Sequence, residues 1–186
     1  GALISKDAEV VKIKKRSRPF ITPESSIDLG NSGTGIRLMT GFISGLSLKA
    51  TLIGDESLSQ RPMSRVVNPL VKMGKKISTN DGKTPIKIKG GSISDNFEYQ
   101  MPIASAQVKS SILLAGLNAE GKTQVQEKYP TRDHTERMMK TFEANISSSK
   151  GIIETEKSDL KTRGQIKVPG DFSSAAFFIG ACLISE

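Results

Sequence analysis

Apolar residues recur three or four positions apart in four segments of the chain, which is helical spacing. This spacing predicts helices over 34–45, 62–73, 105–117 and 133–144, with Pro62 in the first turn of the second helix. Alternating or continuous apolar runs, bounded by glycine, proline and an Asn-Asp-Gly turn at 80–82, predict strands. The predicted strands cover 10–14, 26–29, 50–53, 75–78, 85–89, 92–99, 123–127, 145–148, 151–156 and 165–168.

Short blocks of sequence recur at a fixed distance. Thr34 and Ser105 are 71 positions apart, and so are Arg61 and Arg132 (105 − 34 and 132 − 61). In each stretch a small polar cluster opens an apolar helix, and an arginine lies in a loop before a second helix. We therefore predict a mixed α/β (α+β) fold of repeated βαβαββ units with pseudo-symmetric packing. A third copy of the repeated unit is predicted to begin at 171–177.

Composition narrows the class of protein. The longest apolar run, 175–184, is half the length of about 20 residues that a membrane helix needs. The single cysteine, Cys182, excludes an intrachain disulfide and favours a reducing compartment, so we expect a cytoplasmic protein without membrane contact. A net charge of +8 favours an anionic partner. The few aromatic residues fall in apolar patterns, which weighs against nucleic acid as that partner.

Three helix openings are candidates for binding anions. Gly33-Thr34-Gly35 exposes backbone N–H groups at the positive end of a helix dipole. Ser105-Ala106-Gln107 and Ser173-Ser174 present hydroxyl groups at the corresponding positions of later helices. Ordinary helix capping explains any one of these openings. The openings recur in register, and each complete unit has its own arginine. This recurrence favours a shared anion site.

Charged residues around these openings suggest further roles. Arg61 and Arg132 precede helices, where a guanidinium can fork onto carboxylate or phosphate oxygens, although a surface ion pair is the alternative. Asp133 and Glu136 have the spacing of a capping box. His134 is the only histidine, and we assign it a packing or hydrogen-bonding role. No metal site and no cofactor are predicted.

Five blocks in this order resemble the 5-enolpyruvylshikimate-3-phosphate synthase family. They are 29–34, 54–58 with 61–63, 105–110, 131–136, and 168–171 with 173–174. The resemblance implies two lobes, each of three βαβαββ units around a pseudo-threefold axis, which close on shikimate 3-phosphate and phosphoenolpyruvate. The implied reaction transfers the carboxyvinyl group of phosphoenolpyruvate to the 5-hydroxyl of shikimate 3-phosphate and releases phosphate. It belongs to aromatic amino acid biosynthesis.

The resemblance also implies roles for individual positions, sorted by substrate. Phosphoenolpyruvate would be held by Gly33, Arg61 and Gln107. Shikimate 3-phosphate would be held by Ser105, Ala106, Gln107, Arg132 and Thr34. Asn31 would shape the same cleft. Both substrates carry several negative charges, which agrees with the basic composition.

Part of the family pattern has no counterpart in this sequence. The early Lys-Ser…Arg motif is absent, as is nearly all of the second lobe with its catalytic residues. We therefore expect a fragment in which 1–167 form the first, substrate-binding lobe, incomplete at its N-terminus. Residues 168–186 would form the crossover and the first helix of the second lobe. We expect no catalytic residue in the fragment, no activity without the second lobe, and a monomer.

Two alternatives remain open at this stage. The related enolpyruvyltransferase that acts on a UDP-sugar has the same architecture and typically presents a cysteine in the region of 54–61, where this chain has none. A non-enzymatic module that binds RNA or another polyanion would also account for the charge.

Overall fold

A computed structural model describes residues 2–15, 20–91, 96–161, 165–168 and 170–184. The strands are β1 (Ala2–Asp7), β2 (Val10–Lys15), β3 (Ile27–Asp28), β4 (Lys49–Ile53), β5 (Ile77–Asn80), β6 (Lys83–Lys89), β7 (Phe97–Gln100), β8 (Thr123–Gln126), β9 (Ile146–Ser149) and β10 (Ile152–Thr155). The helices are α1 (Gly33–Gly45), α2 (Glu56–Ser59), α3 (Ser64–Lys72), α4 (Ala106–Gly116), α5 (His134–Thr141) and α6 (Phe172–Ile184). None of these helices is both long and apolar enough to cross a bilayer.

Two four-stranded sheets have the same topology. Their strand orders are β3-β4-β6-β5 and β7-β8-β10-β9. In each sheet the first pair is parallel and the other two pairs are antiparallel. The predicted repeat of βαβαββ units in a mixed α/β fold is therefore confirmed. Strands β1 and β2 form a separate antiparallel hairpin, of which the sequence predicted only the second strand.

Each unit has its own apolar core. The first core contains Ile36 and Ile43 of α1 with Leu52 and Ile86 of the first sheet. In the second core, Ile112 and Leu113 of α4 pack with Val125 and Ile153 of the second sheet. Residues Val66, Leu70 and Met73 of the 64–73 region belong to the second core although they lie in the first unit. The two units are therefore packed against each other.

Several predicted boundaries were wrong. Pro62 lies before α3 and not in its first turn, because the buried Met63 is the helix cap and donates its N–H to the Gly82 carbonyl at 2.7 Å. The strand predicted at 75–78 begins at Ile77, because the Lys75 N–H still bonds to the Leu70 carbonyl at the end of α3.

The strand predicted at 165–168 is absent, and the strand predicted at 92–99 is described only in part. Residues 165–168 form no strand, and Ile166 and Val168 are exposed, so the apolar alternation there has no sheet to cover. For the strand predicted over 92–99, residues 92–95 lie outside the described residues and the strand is seen from Phe97. The third helix copy predicted from 171 is present as α6.

Candidate anion-binding site

Helices α1 and α4 lie side by side and run in the same direction. Thr34 contacts Gln107 near the start of both helices, and further along Gly45 approaches Ala115. A Cβ atom on Gly41 would lie 2.1 Å from the carbonyl oxygen of Ser111, so only glycine permits this approach. The N-termini of both helices therefore meet at one end of the pair, where their dipoles present positive potential together.

The first turns of these two helices carry no acidic residue. Ser32 caps α1 by accepting the Gly35 N–H at 3.0 Å, and Ser105 caps α4 by accepting the Val108 N–H at 3.4 Å. An acidic side chain in the first turn is the usual way to balance the dipole. Since both helices lack one, the remaining free N–H groups are available to an external anion.

Arg61 is held over the start of α1 by a short relay of hydrogen bonds. Its Nη2 donates to Asn31 Oδ1 at 2.9 Å, and Asn31 Nδ2 donates to Asp55 Oδ2 at 2.8 Å. The other Asp55 oxygen accepts the Leu58 N–H at 2.7 Å, and the hydrogen bonds from Leu58 and Asn31 lower the pKa of this carboxyl. A Cβ on Gly33 would lie 2.7 Å from Arg61 Nη1. The absence of a side chain at position 33 thus makes room for the guanidinium.

Gln107 connects the two helix openings. Its Nε2 donates to Thr34 Oγ1 at 2.7 Å, and its Oε1 accepts a hydrogen bond from Arg37. Arg37 also donates to the Pro62 carbonyl at 3.4 Å, in the segment that follows Arg61. One side-chain amide therefore links α4 to the first turn of α1 and, through Arg37, to the Arg61 loop.

Arg37 is the site residue that our reading of the sequence missed. Burial lowers the pKa of its guanidinium, and the nearby Arg65 and Arg61 lower it further. No local signal in the sequence identifies Arg37. It is the fifth residue of α1, beyond the first turn, and its hydrogen-bond partners Gln107 and Pro62 lie far along the chain.

Arg132 lies in the loop between β8 and α5 and lines the same cavity as Gln107. It is exposed, and the cavity has a volume of about 170 Å³. The cavity is lined by Thr34, Leu38, Ala106, Gln107, Ser110, Arg132, His134 and Thr135. His134, the first residue of α5, is therefore beside the candidate site, which its predicted role did not anticipate.

The predicted capping box at the start of α5 is wrong. The Asp133 side chain makes no capping hydrogen bond. Glu136 instead points into the interior and forms an ion pair with the buried Lys109 at 2.5 Å. A buried ammonium attracts a carboxylate more strongly than a helix N–H group does, which explains why the local pattern failed.

The other predicted positions are distributed as follows. One connected region around the two helix openings contains most of them, namely Asn31, Gly33, Thr34, Arg61, Ala106, Gln107 and Arg132. Ser105 faces a neighbouring cavity of about 220 Å³, which Arg65 also borders. At the start of α6, the Ser174 hydroxyl bonds to Asp171 at 2.6 Å, and the Ser173 side chain lies outside the described residues.

A second cationic surface lies on the outer face of the first sheet. Lys49 is directly opposite Lys89 across β4 and β6, and the Lys89 N–H bonds to the carbonyl of Lys76. Together with Lys87, these lysines border a groove of about 660 Å³. In the described part of the chain, none of the four forms an ion pair. This groove is the place where a general polyanion would bind.

Comparison with known proteins gives one consistent family. The family model for EPSP synthase (3-phosphoshikimate 1-carboxyvinyltransferase) matches residues 1–186. The 3-phosphoshikimate 1-carboxyvinyltransferase of Ruthia magnifica is 51% identical over 163 residues, which are 88% of this chain and 38% of the relative. That of Leuconostoc citreum is 46% identical and covers 100% of this chain and 43% of the relative. The solved EPSP synthase of Acinetobacter baumannii has a TM-score of 0.81 and 40% identity, covering 96% of this chain and 41% of that structure.

Proposed function

Because the chain belongs to the EPSP synthase family, we propose that it provides the surface on which shikimate 3-phosphate and phosphoenolpyruvate bind. The observation that carries this proposal is the meeting of two helix N-termini, both without acidic residues, between Arg61 and Arg132. Both ligands are polyanions, and helix N-termini with guanidinium groups are well suited to phosphate and carboxylate oxygens.

The site divides into two sides around Gln107. Phosphoenolpyruvate binds on the Arg61 side, where Gly33 leaves space and Asn31 fixes the guanidinium. Shikimate 3-phosphate binds on the Arg132 side. Its ligands there are Ala106, Gln107, Arg132 and Thr34, and Ser105 contributes from the neighbouring cavity at the same helix start. The Gln107 amide, which already joins the two sides by hydrogen bonds, contacts both substrates.

The proposed reaction adds the 5-hydroxyl oxygen of shikimate 3-phosphate to C2 of phosphoenolpyruvate. The hydroxyl group gives up its proton to a base of the second lobe as the C–O bond forms, and a proton is added to the methylene carbon C3. The tetrahedral intermediate then loses a proton from C3 and expels phosphate from C2, which restores the double bond. The residues of this chain hold and orient both anions so that the two atoms meet, and their positive potential stabilises the phosphate as it leaves. We assign no proton-transfer residue to this chain.

The chain covers 38% and 43% of the lengths of the Ruthia magnifica and Leuconostoc citreum relatives, respectively. We propose that 1–167 belong to the substrate-binding lobe and that 168–186 lead into a second lobe, which supplies the remaining catalytic groups. The exposed apolar side chains of α6, among them Phe177 at 82% exposure, support this division. The monomeric state and the cytoplasmic location stay predictions.

Neither alternative gains comparable support. The UDP-sugar enzymes typically present a cysteine in the region of 54–61, where this chain has none, and the relatives named above carry the name of the shikimate reaction. A polyanion-binding module would use the lysine groove of the first sheet, whose lining includes none of the residues that the family resemblance assigns to substrates.

The proposal is tested with a chimera in which residues 1–186 replace the matching segment of the Acinetobacter baumannii EPSP synthase. The measured quantity is the rate of turnover. We expect phosphate release that requires both substrates, and a large loss of rate on Arg61→Ala or Arg132→Ala. The chain alone should release no phosphate. A folded chimera without turnover, or turnover unaffected by either substitution, would contradict the proposal.

A further inference from the structure

Lys109 is buried in the second unit although it lies only two positions after Gln107. Its side chain is 1% exposed, and its ammonium contacts two carboxylates, Glu136 at 2.5 Å and Glu127 at 3.2 Å. The carboxylates are themselves 6% and 9% exposed, respectively. A group of three ionisable side chains has thus been taken out of water beneath the start of α4.

The two carboxylates lie at the two ends of one segment, 127–136, which follows β8 and contains Arg132. A single ammonium on α4 therefore holds both ends of the loop that presents this arginine. We call the ion pairs of Lys109 with Glu127 and Glu136 the clasp. Within the loop, Glu127 Oε2 accepts hydrogen bonds from the Thr131 hydroxyl at 2.8 Å and from the Thr131 N–H at 3.3 Å. The residue next to Arg132 is thus bonded directly to a carboxylate that Lys109 holds.

Stability alone does not account for this arrangement. Buried ion pairs contribute little net stability compared with apolar side chains of the same volume, since desolvation offsets the attraction. Among the described residues, Glu136 Oε2 is buried without a hydrogen-bond partner, a further cost of placing these charges inside. What the charges provide is geometry, because ion pairs and hydrogen bonds are directional while apolar contacts are not.

We propose that Lys109 is a positioning residue that fixes the Arg132 loop against the N-terminus of α4. This inference rests on the proposed function, in which Arg132 binds shikimate 3-phosphate. With the clasp intact, the guanidinium faces the cavity bordered by Ala106 and Gln107. Without it, the loop is free to move and the arginine no longer lies at a fixed distance from the helix opening.

The test compares the unsubstituted 186-residue chain with three single substitutions and uses two readouts. The substitutions are Lys109→Met, which removes the clasp, and Thr131→Val, which removes only the hydroxyl link and leaves the buried charges in place. Lys122→Met is the matched control, because Lys122 also joins two glutamates but is exposed and lies at the opposite end of β8. Amide hydrogen exchange of 128–133 reports the loop, and NMR titration reports each substrate.

We expect faster exchange in the loop and about tenfold weaker binding of shikimate 3-phosphate for Lys109→Met, the loss expected for one charge-assisted contact. Thr131→Val should show both effects more weakly, and it carries the test should Lys109→Met fail to fold. Phosphoenolpyruvate affinity should not change. In an Arg132→Ala background, Thr131→Val should cause no further loss of shikimate 3-phosphate affinity. If Thr131→Val acted by lowering the overall stability, it would weaken binding in that background as well.

The outcomes separate the inference from the proposed function. Exchange and affinities equal to those of Lys122→Met would overturn the positioning role. Equal weakening of both substrates would also overturn it, because the effect would then not pass through Arg132. If the unsubstituted chain binds neither substrate while the loop loosens in Lys109→Met, the positioning of Arg132 stands and the proposed function fails.

Discussion

The side-chain amide of Gln107 donates a hydrogen bond to the Thr34 hydroxyl at 2.7 Å and so joins the first turns of two helices whose contacting residues are 73 positions apart. Because these helices run in parallel, the bond also marks the place where two positive helix ends coincide.

Gln107→Glu should stabilise the free protein and weaken substrate binding. A carboxylate in the first turn of α4 interacts favourably with the helix dipole, by about 0.3–1 kcal/mol, and can pair with Arg37. It would then occupy the position of the substrate anions, so affinity for both should fall at least about tenfold, or 1.4 kcal/mol. Thermal unfolding and calorimetric titration measure the two effects.

Asn118→Asp is the control for the Gln107 substitution. It makes the same change from amide to carboxylate at an exposed position just beyond the other end of α4. There the dipole is unfavourable to an anion, so stability should fall slightly while substrate affinity is kept. Lower stability of Gln107→Glu with unchanged affinity would show that the helix opening is not an anion site.

Gly33→Ala should weaken phosphoenolpyruvate binding at little cost in stability. The new methyl group would lie 2.7 Å from Arg61 Nη1, and the end of a flexible side chain can move away. The expected loss is about tenfold or more, since a displaced guanidinium forfeits its charge-assisted hydrogen bonds. In an Arg61→Ala background the methyl group has no guanidinium to displace, so Gly33→Ala should add little. If Gly33→Ala weakened phosphoenolpyruvate binding by the same factor with and without the Arg61 side chain, this explanation would be refuted.

Gly41→Ala should destabilise the fold instead. Its methyl group would lie 2.1 Å from the backbone oxygen of Ser111, so the two helices must separate. Overpacking of this kind costs roughly 1–3 kcal/mol. Gly180→Ala, in α6 with no atom within 4 Å, is the control and should be neutral or stabilising. Urea unfolding compares the two, and equal midpoints would argue against close packing of α1 and α4.

Lys75 should make stability depend on pH in the alkaline range. Burial lowers its pKa from 10.5 to about 8, while its ammonium donates to the Gly91 carbonyl and to Ser47. Between these two pH values the unfolded chain binds more protons than the folded one, so the contribution of Lys75 to stability rises with pH. The total rise is up to about 3 kcal/mol.

The difference in unfolding free energy between the unsubstituted chain and Lys75→Met isolates this contribution. It should grow in favour of the unsubstituted chain from pH 8 to pH 10.5. Lys76→Met removes the neighbouring exposed lysine and controls for the loss of one surface charge. A difference for Lys75→Met that is constant over this range would rule out a buried, titrating ammonium.

The helices and the repeat were predictable because they depend on local spacing. Apolar residues such as Ile36 and Ile43 recur at the helical interval, and the match of Thr34 with Ser105 needs only the sequence. The start of α3 was not predictable in the same way, because it depends on the burial of Met63 and its bond to Gly82. Such a contact arises only when distant segments fold together.

The candidate site shows the same limit. Arg61, Gln107 and Arg132 were found through the repeat and the family resemblance, whereas Arg37 and Lys109 take their roles from partners far along the chain. Local rules even failed at Glu136, whose spacing suits a cap but whose carboxylate is bound by Lys109. The exception at Glu136 lies beside the site, where a deviation from a local rule can mark a functional constraint.

The most direct test of the central claim is a two-dimensional NMR titration of this chain with shikimate 3-phosphate and phosphoenolpyruvate. We predict shifts of the backbone amides of Gly33, Gly35, Ala106 and Gln107 and of the Nε–H groups of Arg61 and Arg132. Phosphoenolpyruvate should act mainly on the Arg61 side and shikimate 3-phosphate mainly on the Arg132 side. Shifts confined to the lysine groove of the first sheet, or no shifts at millimolar ligand, would contradict the account.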